Sequence, residues 1–184
     1  MAATRYVALL RGINVGGRNL VGMADLRRCF EEQGYDEVST YIQSGNVLFE
    51  TEGPSRSLES DVETMLERHL GVPIRVMLRS HRQLNSVVAR APDSFGATPD
   101  RYHSDVIFLK DGLSPRKAMD LVELRDEVDQ AWTGPRVLYF ARLSARRTQS
   151  KMSRIVGTPE YQLMTIRSWS TVTKLLGQLD ARTA

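Results

Sequence analysis

Apolar and polar positions divide this chain into short runs of two kinds. Tyr6-Val7-Ala8-Leu9-Leu10 is continuously apolar, as in a strand covered on both faces. From Met23 onward, Met23, Leu26, Cys29 and Phe30 fall on one helical face. Gly34 then stands where a left-handed helix stop is expected. Val38, Thr40 and Ile42 alternate with Ser39, Tyr41 and Gln43, which predicts a second strand. Ser44-Gly45-Asn46 is a turn signal, and Val47-Leu48-Phe49 is the return strand of a hairpin. Leu58, Val62, Met65, Leu66 and Leu70 predict a second helix closed by Gly71. Ile74 to Leu78 reads as a fourth strand, and Leu84, Val87 and Val88 mark a short helix.

The second half runs in a similar order. Val106 to Leu109 is a strand, Asp111-Gly112 a turn, and Ser114-Pro115 a helix N-cap with proline at the first helical position. Two runs flank Gly134-Pro135, of which Val137 to Phe140 is plainly strand-like. Ser150 to Val156 reads as helical, Leu163 to Ile166 as a last strand, and Val172, Leu175 and Leu176 as a last helix. Leu78-Arg79-Ser80-His81 with Leu84, Val87 and Val88 parallels Ile166-Arg167-Ser168-Trp169 with Val172, Leu175 and Leu176 at identical spacing. Shared element order and shared residues point to an ancient duplication. The expected fold is α+β, with two tandem ferredoxin-like (βαββαβ-type) subdomains packed into one compact unit. The expected boundaries are 1–91, a linker at 92–104 with two prolines, a glycine and little apolar content, and 105–184.

Between the first strand and first helix lies Arg11-Gly12-Ile13-Asn14-Val15-Gly16-Gly17. Its glycines require either positive φ or close approach by another group. It lacks the lysine of a Walker loop and the spacing of a dinucleotide fingerprint. Two readings stay open: an anion site of backbone N–H groups and Arg11, or a connection whose glycines only make the turn. The same choice applies to Ser44-Gly45-Asn46, and one sequence does not decide whether that turn and the glycine loop share a sheet end. Trp169 either plugs a core or stacks on a ligand.

Composition narrows the classes. The chain has 184 residues, 41% hydrophobic and 26% charged, as in a globular protein, with no apolar run near the length of a membrane span. Its first residues enter a strand-like run at once, which leaves no room for a signal peptide. The single cysteine, Cys29, excludes an internal disulfide and points to the cytoplasm. It sits on an apolar helical face and is expected in the core. A net charge of +3 and a pI near 9.2 permit an anionic partner without requiring one. Arg142, Arg146, Arg147, Lys151 and Arg154 form a basic run with no interleaved aromatics for base stacking. Ser114-x-x-Lys117 lacks the partner motifs of penicillin-binding enzymes and reads as a cap. His69, His81 and His103 have no metal-ligand spacing, so no metal and no cofactor are expected.

Several blocks resemble a known family. Tyr6 to Gly17, Met23-Ala24-Asp25-Leu26, Thr40 to Val47, and Thr165 to Val172 are similar to the signature of the DUF1697 family of uncharacterised bacterial proteins. The resemblance covers nearly the whole chain and implies a compact α+β protein of two subdomains with no established activity. It also draws attention to Arg11, Asn14, Gln43, Asn46 and Arg167 as polar groups inside the family-like blocks. One departure is visible: the family's Arg-Asn-Trp stands here as Arg167-Ser168-Trp169.

The expected function is binding of a small anionic or nucleotide-like ligand at the glycine loop. The expected contacts are Arg11, Asn14, Gly16, Gly17, Tyr41, Gln43, Ser44, Asn46, Arg167 and Trp169. Arg11 and Arg167 would neutralise charge, Asn14, Gln43 and Asn46 would orient the ligand, and Tyr41 or Trp169 would stack on it. This requires the glycine loop and the Arg167–Trp169 junction to meet. The alternatives are nucleic-acid binding through the 142–154 run, and an enzyme of unknown reaction using side chains such as Tyr41, Ser44 or His81.

Overall fold

The computed structural model describes residues 3–14, 20–43, 45–53 and 56–182. They form two compact units. One comprises residues 1–82 with 175–184, and the other residues 83–174.

In the first unit the strands are β1 (Thr4–Leu10), β2 (Asp36–Tyr41), β3 (Asn46–Thr51) and β4 (Val76–Ser80). They form an antiparallel sheet in the order β2-β3-β1-β4. Helices α1 (Met23–Glu32) and α2 (Leu58–Leu70) connect them. Tyr6, Ala8 and Leu10 of β1 alternate onto one face and meet Phe30 and Cys29 of α1 and Val62 and Leu66 of α2. Both helix ends follow sequence chemistry. Gly34 and Gly71 take positive φ, and Gly71 N–H closes α2 on the Glu67 carbonyl at 2.9 Å. Val7, Leu9, Leu48 and Met77 point to the other face and are also buried, as the continuous apolar run of β1 predicts. On that face Arg5 Nη1 donates to the Leu179 carbonyl at 2.7 Å and Arg182 Nη2 to Ser39 Oγ at 2.6 Å.

The second unit repeats the plan. Its strands are β5 (Tyr102–Leu109), β6 (Asp129–Gly134), β7 (Val137–Leu143) and β8 (Met164–Ser168), in the antiparallel order β6-β7-β5-β8. Strand for strand this is the order of the first sheet, and it is the ferredoxin-like order. Helix α4 (Pro115–Asp120) is capped by Ser114 Oγ, which accepts from Lys117 N–H. Helix α3 (His81–Ala89) begins in the first unit and continues in the second, and α5 (Trp169–Asp180) begins in the second and ends in the first.

Two local differences from the sequence expectation have physical causes. β2 ends at Tyr41, because Ile42 leaves the strand at φ +50°. The expected helix at 150–156 is instead part of three 3-10 turns, Ser144–Gln149, Met152–Gly157 and Pro159–Leu163, interrupted by Gly157 and Pro159. Met152 and Ile155 still enter the core beside Ile107 and Phe140, so an apolar anchor survives where the helix does not. The 92–104 segment lies within the second unit, with Phe95 buried and β5 opening at Tyr102.

Candidate functional site

In the first unit the end of β1 and the β2–β3 hairpin converge. Gly12 at φ +69° and Asn14 at φ +54° turn the backbone twice, which sinks Ile13 into the core between them. The Asn14 amide then closes the loop. Its Oδ1 accepts from Val21 N–H at 2.8 Å, and its Nδ2 donates to the Val21 and Gln43 carbonyls at 3.0 Å each. Gly45 fits against this corner as only glycine can. It has φ +78°, and a Cβ would lie 2.7 Å from Ile13 and 2.9 Å from Leu10. Leu10 N–H bonds the Gly45 carbonyl at 2.8 Å, and Arg11 N–H bonds the Arg75 carbonyl at 2.8 Å. Glycine loop and hairpin turn therefore share one sheet end.

The predicted residues divide by role. Asn46 is fully buried, and its Nδ2 donates to the Tyr41 carbonyl at 2.9 Å, closing the hairpin. Asn14 is half-buried and occupied by the clasp. Arg11 and Tyr41 are half-buried, and Gln43 is exposed. Gly16, Gly17 and Ser44 lie outside the described residues. Beside Gln43, Ile42 is 49% exposed in the left-handed region, where a β-branched side chain is strained.

Arg167 and Trp169 belong to the second unit. Arg167 is buried on β8 opposite Val106, and its Nη1 donates to Thr165 Oγ1 at 2.8 Å and the Ile166 carbonyl at 2.9 Å. Burial lowers its guanidinium to about 10, still charged at neutral pH. Arg79 occupies the matching place in the first unit, opposite Val7, with Nη1 on the Leu78 carbonyl at 2.7 Å. The pair is thus a feature of the repeat. Trp169 packs edge-on against Phe95 at 5.1 Å, and a Cβ on Gly96 would strike its ring at 2.0 Å.

Trp169 also lines a cleft of about 380 Å³ with Tyr102, His103, Ser104, Ser168 and Ser170. At its edge, His103 Nε2 lies 3.2 Å from Asp105 Oδ1, and Arg142 Nη2 lies 3.1 Å from Asp105 Oδ2. Burial pushes the Asp105 carboxyl up, against the opposing pull of His103 and Arg142. Sequence reasoning passed over this cluster because it sought histidines at metal spacing. The usable signal was the i, i+2 spacing of His103 and Asp105 on a strand, which puts both on one face.

The other chemically suggestive residues are accounted for locally. Cys29 is buried in the core, and burial raises its thiol. His81 pairs with Asp180 at 2.6 Å. In the basic run, Arg142 pairs with Asp105, Arg146 with Glu127, and Lys151 and Arg154 with Glu123. Those carboxylates reduce the positive field offered to a polyanion. Among the described residues no helix is long and apolar enough to cross a membrane.

Comparison with known proteins agrees with this architecture. The DUF1697 family, described as a protein of unknown function, matches residues 3–139. The conserved bacterial protein SP0830 from Streptococcus pneumoniae has a similar solved structure, at 29% identity and a TM-score of 0.82. That match covers 97% of this chain and 99% of the other. No curated protein matches.

Proposed function

The chain belongs to the DUF1697 family of proteins of unknown function, and we propose from its own residues that it binds a small anionic or nucleotide-like ligand at the corner where glycine loop meets hairpin. Arg11 supplies the charge, Gln43 orients polar groups of the ligand, and Tyr41 and Ile42 present its apolar surface. The observation that carries this reading is the backbone of Ile42. Left-handed φ costs an L-residue roughly 1–2 kcal/mol, and glycine or asparagine at φ +50° would make the same turn more cheaply. An exposed isoleucine held in strain beside a clasped loop has the character of a contact residue. The single cysteine suits a reducing compartment, and the proposed location is the cytoplasm.

A thermal-shift panel of phosphates, nucleotides and acidic metabolites tests the proposal. At least one compound raises the melting temperature of the wild type, and Arg11→Ala abolishes that rise. A panel without a binder, or one whose binder is indifferent to Arg11→Ala, contradicts it.

A further inference from the structure

Ser104 is a buried group that the fold leaves unexplained. It lies on β5, is 8% exposed, and its hydroxyl has no hydrogen-bond partner among the described residues. Such a group in a folded protein answers to an ordered water or a ligand. Ser104 lines the cleft of about 380 Å³ in the second unit, a volume within the range of small-molecule sites. The same cleft receives the N-terminus of α5, a helix of 12 residues with no acidic side chain in its first turn. Ser168 Oγ accepts from Thr171 N–H at 3.3 Å, and the positive end of the helix faces the cleft.

The donors around this point suit an oxyanion. Ser170 Oγ is within 3.1 Å of Ser168 Oγ and rotates freely enough to donate elsewhere. Thr173 does not contribute, because its hydroxyl donates to the Trp169 and Ser170 carbonyls at 3.1 Å. His103 engages Asp105 through Nε2 on the face of β5 opposite to Ser104, so its ring is not among the donors of the cleft. The Asp105 carboxylate is held by His103 and Arg142, so it offers little repulsion to an anion. Arg101, over the Tyr102 ring at 5.3 Å, adds positive charge nearby.

We propose that this cleft is a second ligand site, independent of the loop and hairpin, which binds a phosphate monoester with its phosphoryl group between Ser104, Ser170 and the N-terminus of α5 and its organic substituent against Trp169. Three phosphoryl oxygens match this set of donors better than the two of a carboxylate.

The test is an NMR titration of the full chain with phenyl phosphate, and separately with benzoate, following the Trp169 indole N–H and the Ser170 amide. Phenyl phosphate gives saturable shifts at both, and benzoate binds more weakly. Ser170→Asp keeps the fold, since a carboxylate suits a helix N-terminus, and weakens phenyl phosphate by about tenfold or more through repulsion. Ser104→Ala also keeps the fold, because it removes an unpaired hydroxyl, and weakens binding by about threefold. Four results overturn the proposal: no shift by about 10 mM, undiminished binding to Ser170→Asp, benzoate binding as tightly, or shifts confined to the Arg11–Asn14 amides.

Discussion

Asn14 uses its whole amide to hold two carbonyls and one N–H, and so explains why the first loop and the first turn meet. Gly45 completes the corner by admitting Ile13 and Leu10 to where a Cβ would sit. These residues build the site's frame, while Arg11, Tyr41, Ile42 and Gln43 are left at its surface. Asp105 shows the opposite kind of residue, a charge held inside. Its folded-state value is above the ordinary 3.8 because burial penalises the carboxylate. The folded protein therefore binds this proton more readily than the unfolded chain. The contribution of Asp105 to stability is largest at or below pH 3.8 and falls as pH rises through the raised value. Urea unfolding of the wild type and Asp105→Asn across that window measures it. The stability of the wild type relative to the variant falls with rising pH, and a rise would refute the assignment.

At the scale of elements, burial and hydrogen bonding act together where β7 meets α3. Tyr139 of β7 is fully buried, and its hydroxyl donates to the Val87 carbonyl of α3 at 2.6 Å. Burial pushes its phenol up to about 12, so it remains a donor throughout the neutral range. Gly134 makes room for the ring, since a Cβ there would lie 2.4 Å from it. Tyr139→Phe orphans the Val87 carbonyl and should cost about 1–3 kcal/mol in chemical denaturation; a neutral effect would show that the bond has no net worth. Most elements were legible because their signals are local: Gly71 stops α2, Ser114 caps α4, and the apolar run of β1 is buried on both faces. The 144–163 turns were less legible, because Met152 and Ile155 present an apolar pattern that a helix and a 3-10 turn satisfy equally. Ile42 was misread for a similar reason. Alternation counts side chains, but the left-handed backbone ends the strand one residue earlier.

For the whole molecule, duplication is the simplest account of two sheets with the same strand order and matched buried arginines, Arg79 and Arg167. The repeat was visible in the Arg-Ser pairs of the sequence, but their burial was not, because a charged residue inside a sheet has no distinctive local pattern. The candidate site was half legible. Glycines and amides marked the loop and the turn, yet their meeting depends on which sheet end each connection leaves, and that is a property of topology. The cleft beside Trp169 depends on Ser104, more than sixty residues earlier in the chain. The proposed binding role rests on strain at Ile42. Ile42→Asn relieves roughly 1–2 kcal/mol of backbone strain and forfeits about 1 kcal/mol of apolar contact from a half-exposed side chain. Urea unfolding paired with calorimetric titration of whichever compound stabilises the wild type is the most direct measurement. Stability unchanged or higher, with affinity lower by about tenfold, is the predicted result; lower stability with affinity intact would make Ile42 part of the fold and contradict the account.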